Sequence, residues 1–408
     1  MSTCIACGSH NVEPFLDLGE TALANKFLSA DELGASEPHY PLVVGFCRDC
    51  GHVQLTRVVP PPEMFDDYLY VSSASSTLVG HLRDLAKVVA DRRNLKAGDL
   101  VLDVGCNDGT LLAGFRDLGL GIRTLGIDPA RNLQPLSAAN GVDVMVDYFG
   151  RDSARRIVAE YGKAAVVTGT NVFLHIPVLD DFMAGLDEVL TPGGVFVVEA
   201  HYLRDLVEQM AFDTIYHEHC SYWSLHAERA MFARHGFEVI DAERLPIHHG
   251  QLRLFVQRKG EGVPGPRVAQ LIADEERLGL NRFETFQRFA SRVAELRTAL
   301  NQTLDGLLAE GHSVAAYGAP AKGMTLLTYL GIDRTRVKWI ADKSPLKQGR
   351  FTPGTHISIV PPSRLVEEQP DYCLLLAWNF ADEIMAEQAE YRRRGGRFIL
   401  PVPTVKIV

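Results

Sequence analysis

The stretch FDTIYHEHCSYWSLHA, residues 212–227, gathers three imidazoles, the Glu218 carboxylate and two phenols into one short segment. A histidine titrates near neutrality and can take a proton from a carbon next to a carbonyl. A tyrosine O–H can hydrogen-bond the enolate oxygen as charge develops there, and a carboxylate can orient an imidazole. Tyr216, Glu218 and His219 are therefore suited to acid/base work on an acidic C–H. A metal site and a polar surface loop are the competing readings. His217 and His219 are two apart, unlike the H-E-x-x-H spacing that brings two ligands onto one helix face, which weakens the metal reading.

A metal cluster is legible elsewhere. Cys4-x-x-Cys7 and Cys47-x-x-Cys50 are each followed at once by glycine, so two tight turns can present four thiolates to one ion. Soft thiolates select zinc over hard cations. With four of them no coordination position stays open, so this zinc is expected to be structural. Seven cysteines do not read as a disulfide framework in a chain of 408 residues. Four free thiols, or a redox pair, are the alternatives, and neither CxxC opens a βαβ unit.

The third chemical feature is LDVGCNDGTLL, in which Gly105, Asn107, Asp108 and Gly109 follow an apolar strand and precede a helix. Glycines there allow a ligand close to the backbone at a helix N-terminus. The third glycine of a dinucleotide fingerprint is missing, which disfavours NAD. A cofactor with an amino-acid head and a ribose, and no pyrophosphate, fits better. Asp128 in GIDPA is the acidic partner for ribose hydroxyls, and Asp147-Tyr148-Phe149 offers an aromatic edge for a purine. Together with the TPGG turn before the fifth strand, these residues resemble class I S-adenosylmethionine-dependent methyltransferases. A purely structural α/β domain with a tight glycine turn is the alternative.

The elements that must position these residues follow a simple order. Residues 1–65 read as a small module with short strands, poor in core of its own and stapled by the metal. From residue 66 to 260 strands alternate with helices, which implies a parallel, doubly wound sheet with its ligands beyond the strand carboxyl ends. Residues 261–408 repeat the α/β pattern after one long amphipathic helix over 267–310. Its apolar positions, Phe283, Phe286, Phe289, Val293, Leu296, Leu300, Leu304 and Leu307, recur at 3-and-4 spacing and read as core rather than as a cofactor box. Two α/β lobes imply a cleft between them. A net charge of −10 without a long basic run argues against nucleic acid and anionic membranes as partners. The start MSTCIACGSH lacks the signature of a secretory signal, and no apolar run is long enough to span a bilayer, so the cytoplasm is the expected compartment. No interface pattern argues for an oligomer.

Over essentially its full length the chain resembles the sugar C-methyltransferases of bacterial deoxysugar pathways, which act on nucleotide-linked 4-keto-hexoses. The paired CxxC module, YLYVSSAS, LDVGCNDGTLL, NVFLHI, YHEH, YGAPAKG, SPLKQGRFTPGTH, LLLAWNFADEI and GGRFILPVP carry the resemblance. It implies a zinc module, a methyltransferase domain and a C-terminal Rossmann-like α/β domain that closes over the sugar nucleotide, with thymidine diphosphate as the carrier. It also implies that His219 is the base and that Tyr216 stabilises or protonates the enolate. Glu218, His175 and Tyr70 would line the same pocket, with Asn171 and His175 supplied by NVFLHI at the end of the fourth strand. Lys322 in GAPAKG, after a strand and before a helix, is a diphosphate candidate, as are Lys347 and Arg350 in SPLKQGR. Three departures from the family pattern, Ala200-His201, Gln251 and Met324, are positioned to touch the substrate and bear on its identity. Carbon 3 of the sugar is the expected methyl acceptor, with carbon 5 the rival. An O- or N-methyltransferase, and a non-enzymatic zinc-ribbon sensor, are the other readings.

Overall fold

The computed structural model describes residues 2–66, 68, 70–247 and 250–408. No helix among them is long and apolar enough to cross a membrane. The His248-His249 pair next to Gln251 lies outside the described residues.

Three sheets organise the chain. The first has four antiparallel strands in the order Val12–Thr21, Tyr40–Cys47, Val53–Leu55 and Ser221–Tyr222. Its first strand carries Pro14 and Gly19 and slips register twice, so hydrophobic alternation does not announce it. It lies at the sheet edge, where proline costs no ladder bond. Its last strand comes from far along the chain, directly after the YHEH segment.

The second sheet has the order Phe237–Leu245, Gln251–Arg258, Leu190–His201, Ala164–Thr170, Leu100–Val104, Arg123–Ile127, Val144–Met145. The last five are parallel to one another, and Gln251–Arg258 runs antiparallel to both of its neighbours. Successive crossovers leave Leu100–Val104 on opposite sides, which makes its carboxyl end the switch point where ligands of such sheets bind. The TPGG segment is not a free turn before the fifth strand. It bulges within it, because Ala164 pairs with Leu190 and Val166 already with Val195.

The third sheet has the order Ile359–Val360, Ile340–Ala341, Val314–Tyr317, Tyr372–Leu375, Arg397–Leu400, Lys406–Ile407, parallel except for the last strand. The expected long helix before it is two helices, Pro266–Leu278 and Phe283–Ala309. Gly279 sits at φ 71 and caps the first, accepting a left-handed backbone that β-carbon-bearing residues resist. The periodic stripe lies wholly in the second helix and is buried along its length. Phe286 packs against Phe15 at 5.2 Å and against Phe46 at 5.2 Å, ring centre to ring centre. One continuous core therefore joins the first sheet, the segment 203–222, this helix and the third sheet. Burying Phe46 and Phe286 contributes about 1.5–3 kcal/mol each, so the three parts are packed as one body around the YHEH segment.

Candidate active site

At the switch point the loop after Leu100–Val104 is built by backbone conformation. Gly105 has φ 67, Asn107 φ 52 and Gly109 φ 77. A β-carbon on Gly105 would come within 2.7 Å of Val172, so the position is closed to any other residue. Asp128, nearly buried, accepts from the Asn107 N–H at 2.8 Å and from the Ala130 N–H at 2.9 Å. That ties the loop to the end of the neighbouring strand, and a carboxylate retains acceptor capacity for ribose hydroxyls. The side chains of Asn107 and Asp108 do a different job from contacting a ligand. Asn107 Oδ1 accepts from the Ser72 N–H at 2.9 Å, its Nδ2 donates to the Tyr70 carbonyl at 3.0 Å, and Asp108 Oδ2 accepts from the Ser73 N–H at 2.9 Å. They pin the YLYVSSAS segment across the loop. Tyr148 leaves an exposed ring whose hydroxyl donates to Asp66. Asp147 is engaged by Arg156 and by the Tyr148 N–H, and Phe149 turns inward against Phe182 at 5.1 Å. Of the expected Asp-Tyr-Phe edge, Tyr148 therefore presents the open ring. The open glycine loop, Asp128 and Tyr148 fit an S-adenosylmethionine-sized ligand.

The four cysteines fit zinc. Their sulfurs all lie within 4.8 Å of one another, with Cys4–Cys50 at 3.6 Å and Cys7–Cys47 at 3.7 Å. A tetrahedron with Zn–S of about 2.3 Å has edges of about 3.8 Å. The two turns match: Gly8 N–H donates to the Cys4 carbonyl and Gly51 N–H to the Cys47 carbonyl, both at 2.9 Å. Cys4, Cys47 and Ala6 belong to the same core as Phe173 and Trp223, so the site is embedded against the second sheet. Among the described residues this is the group whose donors are close enough for a metal, and YHEH does not form one.

The imidazoles converge above the second sheet. His219 is buried; its ring centre lies 3.9 Å from Tyr216, 5.2 Å from His175 and 5.3 Å from His201. Its Nδ1 is 2.8 Å from the Thr214 carbonyl. A carbonyl only accepts, so Nδ1 carries the proton and Nε2 is left with a lone pair. Burial first, then the nearby His175 and His201, hold His219 well below the usual imidazole range. His175 Nδ1 likewise donates, to the Glu218 carbonyl at 2.6 Å, and burial brings it down to about 4. Between them the chain direction alternates. His217 turns to the first sheet, edge-on to Tyr40, while Glu218 accepts from Asn25 Nδ2 at 2.7 Å and from the Tyr68 hydroxyl at 3.3 Å. Burial pushes the Glu218 carboxyl up to about 7, against the pull of those two donors and of Lys347. Burial likewise raises the Tyr216 hydroxyl well above its ordinary value, keeping it a proton donor. Asn171, at φ 55, accepts from Gln251 Nε2 at 2.7 Å, and Tyr70 stays half-exposed beside the glycine loop.

From the third sheet, Lys347 reaches toward Glu218, donating to the Ala319 carbonyl at 2.7 Å with Phe27 below it. Lys322 lies inside the first turn of helix Ala321–Leu330 rather than before it; its ammonium sits 4.0 Å over the Trp378 ring. Burial lowers it to about 8, and the neighbouring Asp213 opposes that shift. Asp213 accepts from Trp378 Nε1 at 2.6 Å. Arg350 is not brought to the site: it is exposed, 3.4 Å from the Phe27 carbonyl, on the turn where Leu28 and Phe351 bridge the first sheet's module to the third. Met324 is buried in the shared core. A cleft of about 560 Å³ is lined by Ser75, Asp205, Arg244, Gly250, Asn379 and Phe380. That size suits a small-molecule ligand.

Asn25, Tyr68 and the Thr214 carbonyl were not among the expected site residues, and His201 stood out solely as a departure from pattern. Tyr68 opens the quoted YLYVSSAS stretch, which was a usable signal. Asn25, in LANKFL, carries none.

Comparison with known proteins agrees with this construction. Family models describe a zinc binding domain over residues 4–65, a methyltransferase domain over 79–242 and a C-methyltransferase C-terminal domain over 246–403. The C-methyltransferase NovU of Streptomyces niveus is 35% identical over 406 residues, covering 99% of this chain and 96% of that protein. Among solved structures, magnesium protoporphyrin IX methyltransferase of Synechocystis is 14% identical and covers 44% of this chain and 83% of its own, with a TM-score of 0.34. A methyltransferase of Anabaena variabilis is 15% identical, covering 50% and 100%, with a TM-score of 0.33; neither adds to the assignment. The chain belongs to the zinc-binding C-methyltransferase family that includes NovU, and is an S-adenosylmethionine-dependent C-methyltransferase.

Proposed function

We propose that this C-methyltransferase acts on a nucleotide-linked 4-keto-deoxyhexose, with thymidine diphosphate as carrier, and alkylates carbon 3, next to the ketone. In this reading residues 1–65 are the metal module, 66–260 the cofactor-binding domain and 261–408 the sugar-nucleotide lobe. The observation that carries the proton chemistry is the Thr214 carbonyl on His219 Nδ1, which leaves Nε2 as a free base in a ring cluster with Tyr216.

His219 Nε2 takes the proton from carbon 3, and the C–H electron pair moves into the ketone. Tyr216, a donor throughout the working pH range, hydrogen-bonds the resulting enolate oxygen. Bound S-adenosylmethionine supplies an electrophilic methyl, and the departing S-adenosylhomocysteine balances the new carbon–carbon bond. His219 begins neutral because burial and two neighbouring imidazoles disfavour its cation. The proton it gains is therefore held loosely and is ready to leave. His175 and Glu218 keep the loop in place, each through hydrogen bonds to the chain around it. Lys322 and Lys347 meet the diphosphate, with the nucleoside in the cleft lined by Asn379 and Phe380. Gly105, Gly109, Asp128 and Tyr148 hold the cofactor, while Asn107 and Asp108 secure the loop through the segment 70–73.

The test is turnover of a thymidine-diphospho-4-keto-deoxyhexose in deuterated water. Exchange of the carbon 3 hydrogen and a mass gain of one methyl on carbon are expected. No exchange at either α-carbon, or a methyl on oxygen or nitrogen, removes the proposal. Exchange at carbon 5 alone moves the site of transfer.

A further inference from the structure

The metal module does more than cover the second sheet, because it grips the YHEH segment on both sides. Asn25 holds Glu218 from within the module. Beyond His219, the strand Ser221–Tyr222 is the fourth strand of the module's own sheet: Val53 pairs with Tyr222, Gln54 with Ser221, and Leu55 N–H donates to the Cys220 carbonyl at 3.0 Å. The strand that does this begins where the second metal turn ends. Cys47 N–H donates to the His52 carbonyl at 2.8 Å. The first metal turn is stitched to the same strand by the buried Gln54, whose Oε1 accepts from the Ile5 N–H at 2.7 Å and whose Nε2 donates to the Thr3 carbonyl at 3.1 Å.

A second line of contact runs through rings. His52 is fully buried, 4.1 Å from the Trp223 ring centre, with its Nε2 3.1 Å from the Ser221 hydroxyl. Trp223 stacks on Phe173 at 5.2 Å, and Phe173 lies two residues before His175. Cys220 closes the path by donating to the Leu174 carbonyl at 3.3 Å. Both metal turns thus bear on both walls of the imidazole cluster.

We infer that His52 and Gln54 are positioning residues, through which occupancy of the four-cysteine site sets the placement of His219 and His175. The inference rests on the reading of those two histidines given above. Neither His52 nor Gln54 touches substrate or cofactor; they act by fixing the strand that ends the YHEH loop. A misplacement on the order of 1 Å can cost about 100-fold in rate while binding is retained. Loss of either contact should therefore appear in kcat and not in cofactor affinity.

The experiment uses the full chain as His52→Ala, His52→Phe and Gln54→Leu, with zinc content, cofactor Kd, KM, kcat and hydrogen exchange measured on each. In His52→Ala, zinc content and cofactor Kd should stay within about twofold of wild type while kcat falls about 10- to 100-fold. His52→Phe restores the stack on Trp223 without the Ser221 contact and should recover part of that loss. Amides of residues 216–223 should exchange faster in His52→Ala and Gln54→Leu, and in wild type after partial zinc chelation, with residues 100–112 unchanged. Unchanged kcat and unchanged exchange overturn the inference, and so does a loss spread equally over kcat, KM and cofactor Kd. Exchange can be read even on a variant too unstable to assay. If His219→Ala retains full turnover, the reading of the base fails, whereas the exchange result still decides whether the metal module orders the loop.

Discussion

The glycine loop and the YHEH loop are built by opposite means. Residues 103–110 owe their shape to their own backbone. Three left-handed residues and one partner carboxylate, Asp128, define them within a single strand–turn–helix–strand unit. Residues 214–222 contain no left-handed residue and lean on partners beyond the segment as well as within it. His219 is oriented by a carbonyl five residues back, Glu218 by Asn25 and Tyr68, and the loop's exit by a strand from the metal module. A loop built locally tolerates distant change and fails at its own glycines. One built by remote contacts fails when any of its holders is removed.

The sharpest way to separate the two is His219→Ala. Turnover should fall on the order of 10²- to 10⁴-fold, with cofactor affinity by calorimetry changed by less than about twofold. Loss of cofactor affinity would mean that the loops are not independent. Gly105→Ala is the mirror experiment. It forces a β-carbon into Val172 at a left-handed φ, and the backbone strain alone costs about 1–2 kcal/mol. Cofactor Kd should rise about 10-fold or more, while fast exchange of residues 216–223 should not appear.

A pH experiment probes the remote assembly. The Glu218 carboxyl rises from an ordinary value of about 4.3 to about 7 in the folded protein. The folded state then binds the proton more tightly than the unfolded chain. The stability this gives is complete below about pH 4.3 and is lost as pH rises through about 7. Glu218→Gln removes the titration, so its melting temperature relative to wild type should climb between pH 5.5 and 8. A flat difference across that range would show that the carboxylate is not held in a desolvated site. The smallest effect is expected at Arg350, exposed and 3.4 Å from the Phe27 carbonyl: Arg350→Ala should leave KM for the sugar nucleotide within about twofold.

Legibility in the sequence divides along the same line. The glycine loop, Asp128 and the paired CxxC turns could be read because each is a local backbone requirement, with residue types that few other structures need in that order. The helix stripe from Phe283 to Leu307 could be read for the same reason, although Gly279, which splits the helix in two, was missed because a single glycine inside a periodic pattern does not say whether it caps or is tolerated. YHEH could be singled out as chemistry, but its partners could not. Asn25 is separated from Glu218 by 193 positions, and nothing about an isolated asparagine announces such a contact. His201 looked like an aberration in a strand until the fold set its ring beside His219. Asp147 and Phe149 show the reverse, since their types suited a purine while Arg156 engaged the one and Phe182 packed the other.

What the sequence determined by itself is the chemistry on offer: a methyl-donor fold, a four-thiolate metal site and an imidazole-rich segment, each encoded by spacing along a few turns of chain. Which imidazole keeps a free lone pair, which carboxylate is lifted toward neutrality and which lysines reach the centre were decided by tertiary structure alone. The reason is that desolvation and hydrogen-bond direction depend on which atoms the folded chain brings near, from the Thr214 carbonyl five residues before His219 to Asn25 at 193 from Glu218, and spacing along the chain holds no record of them.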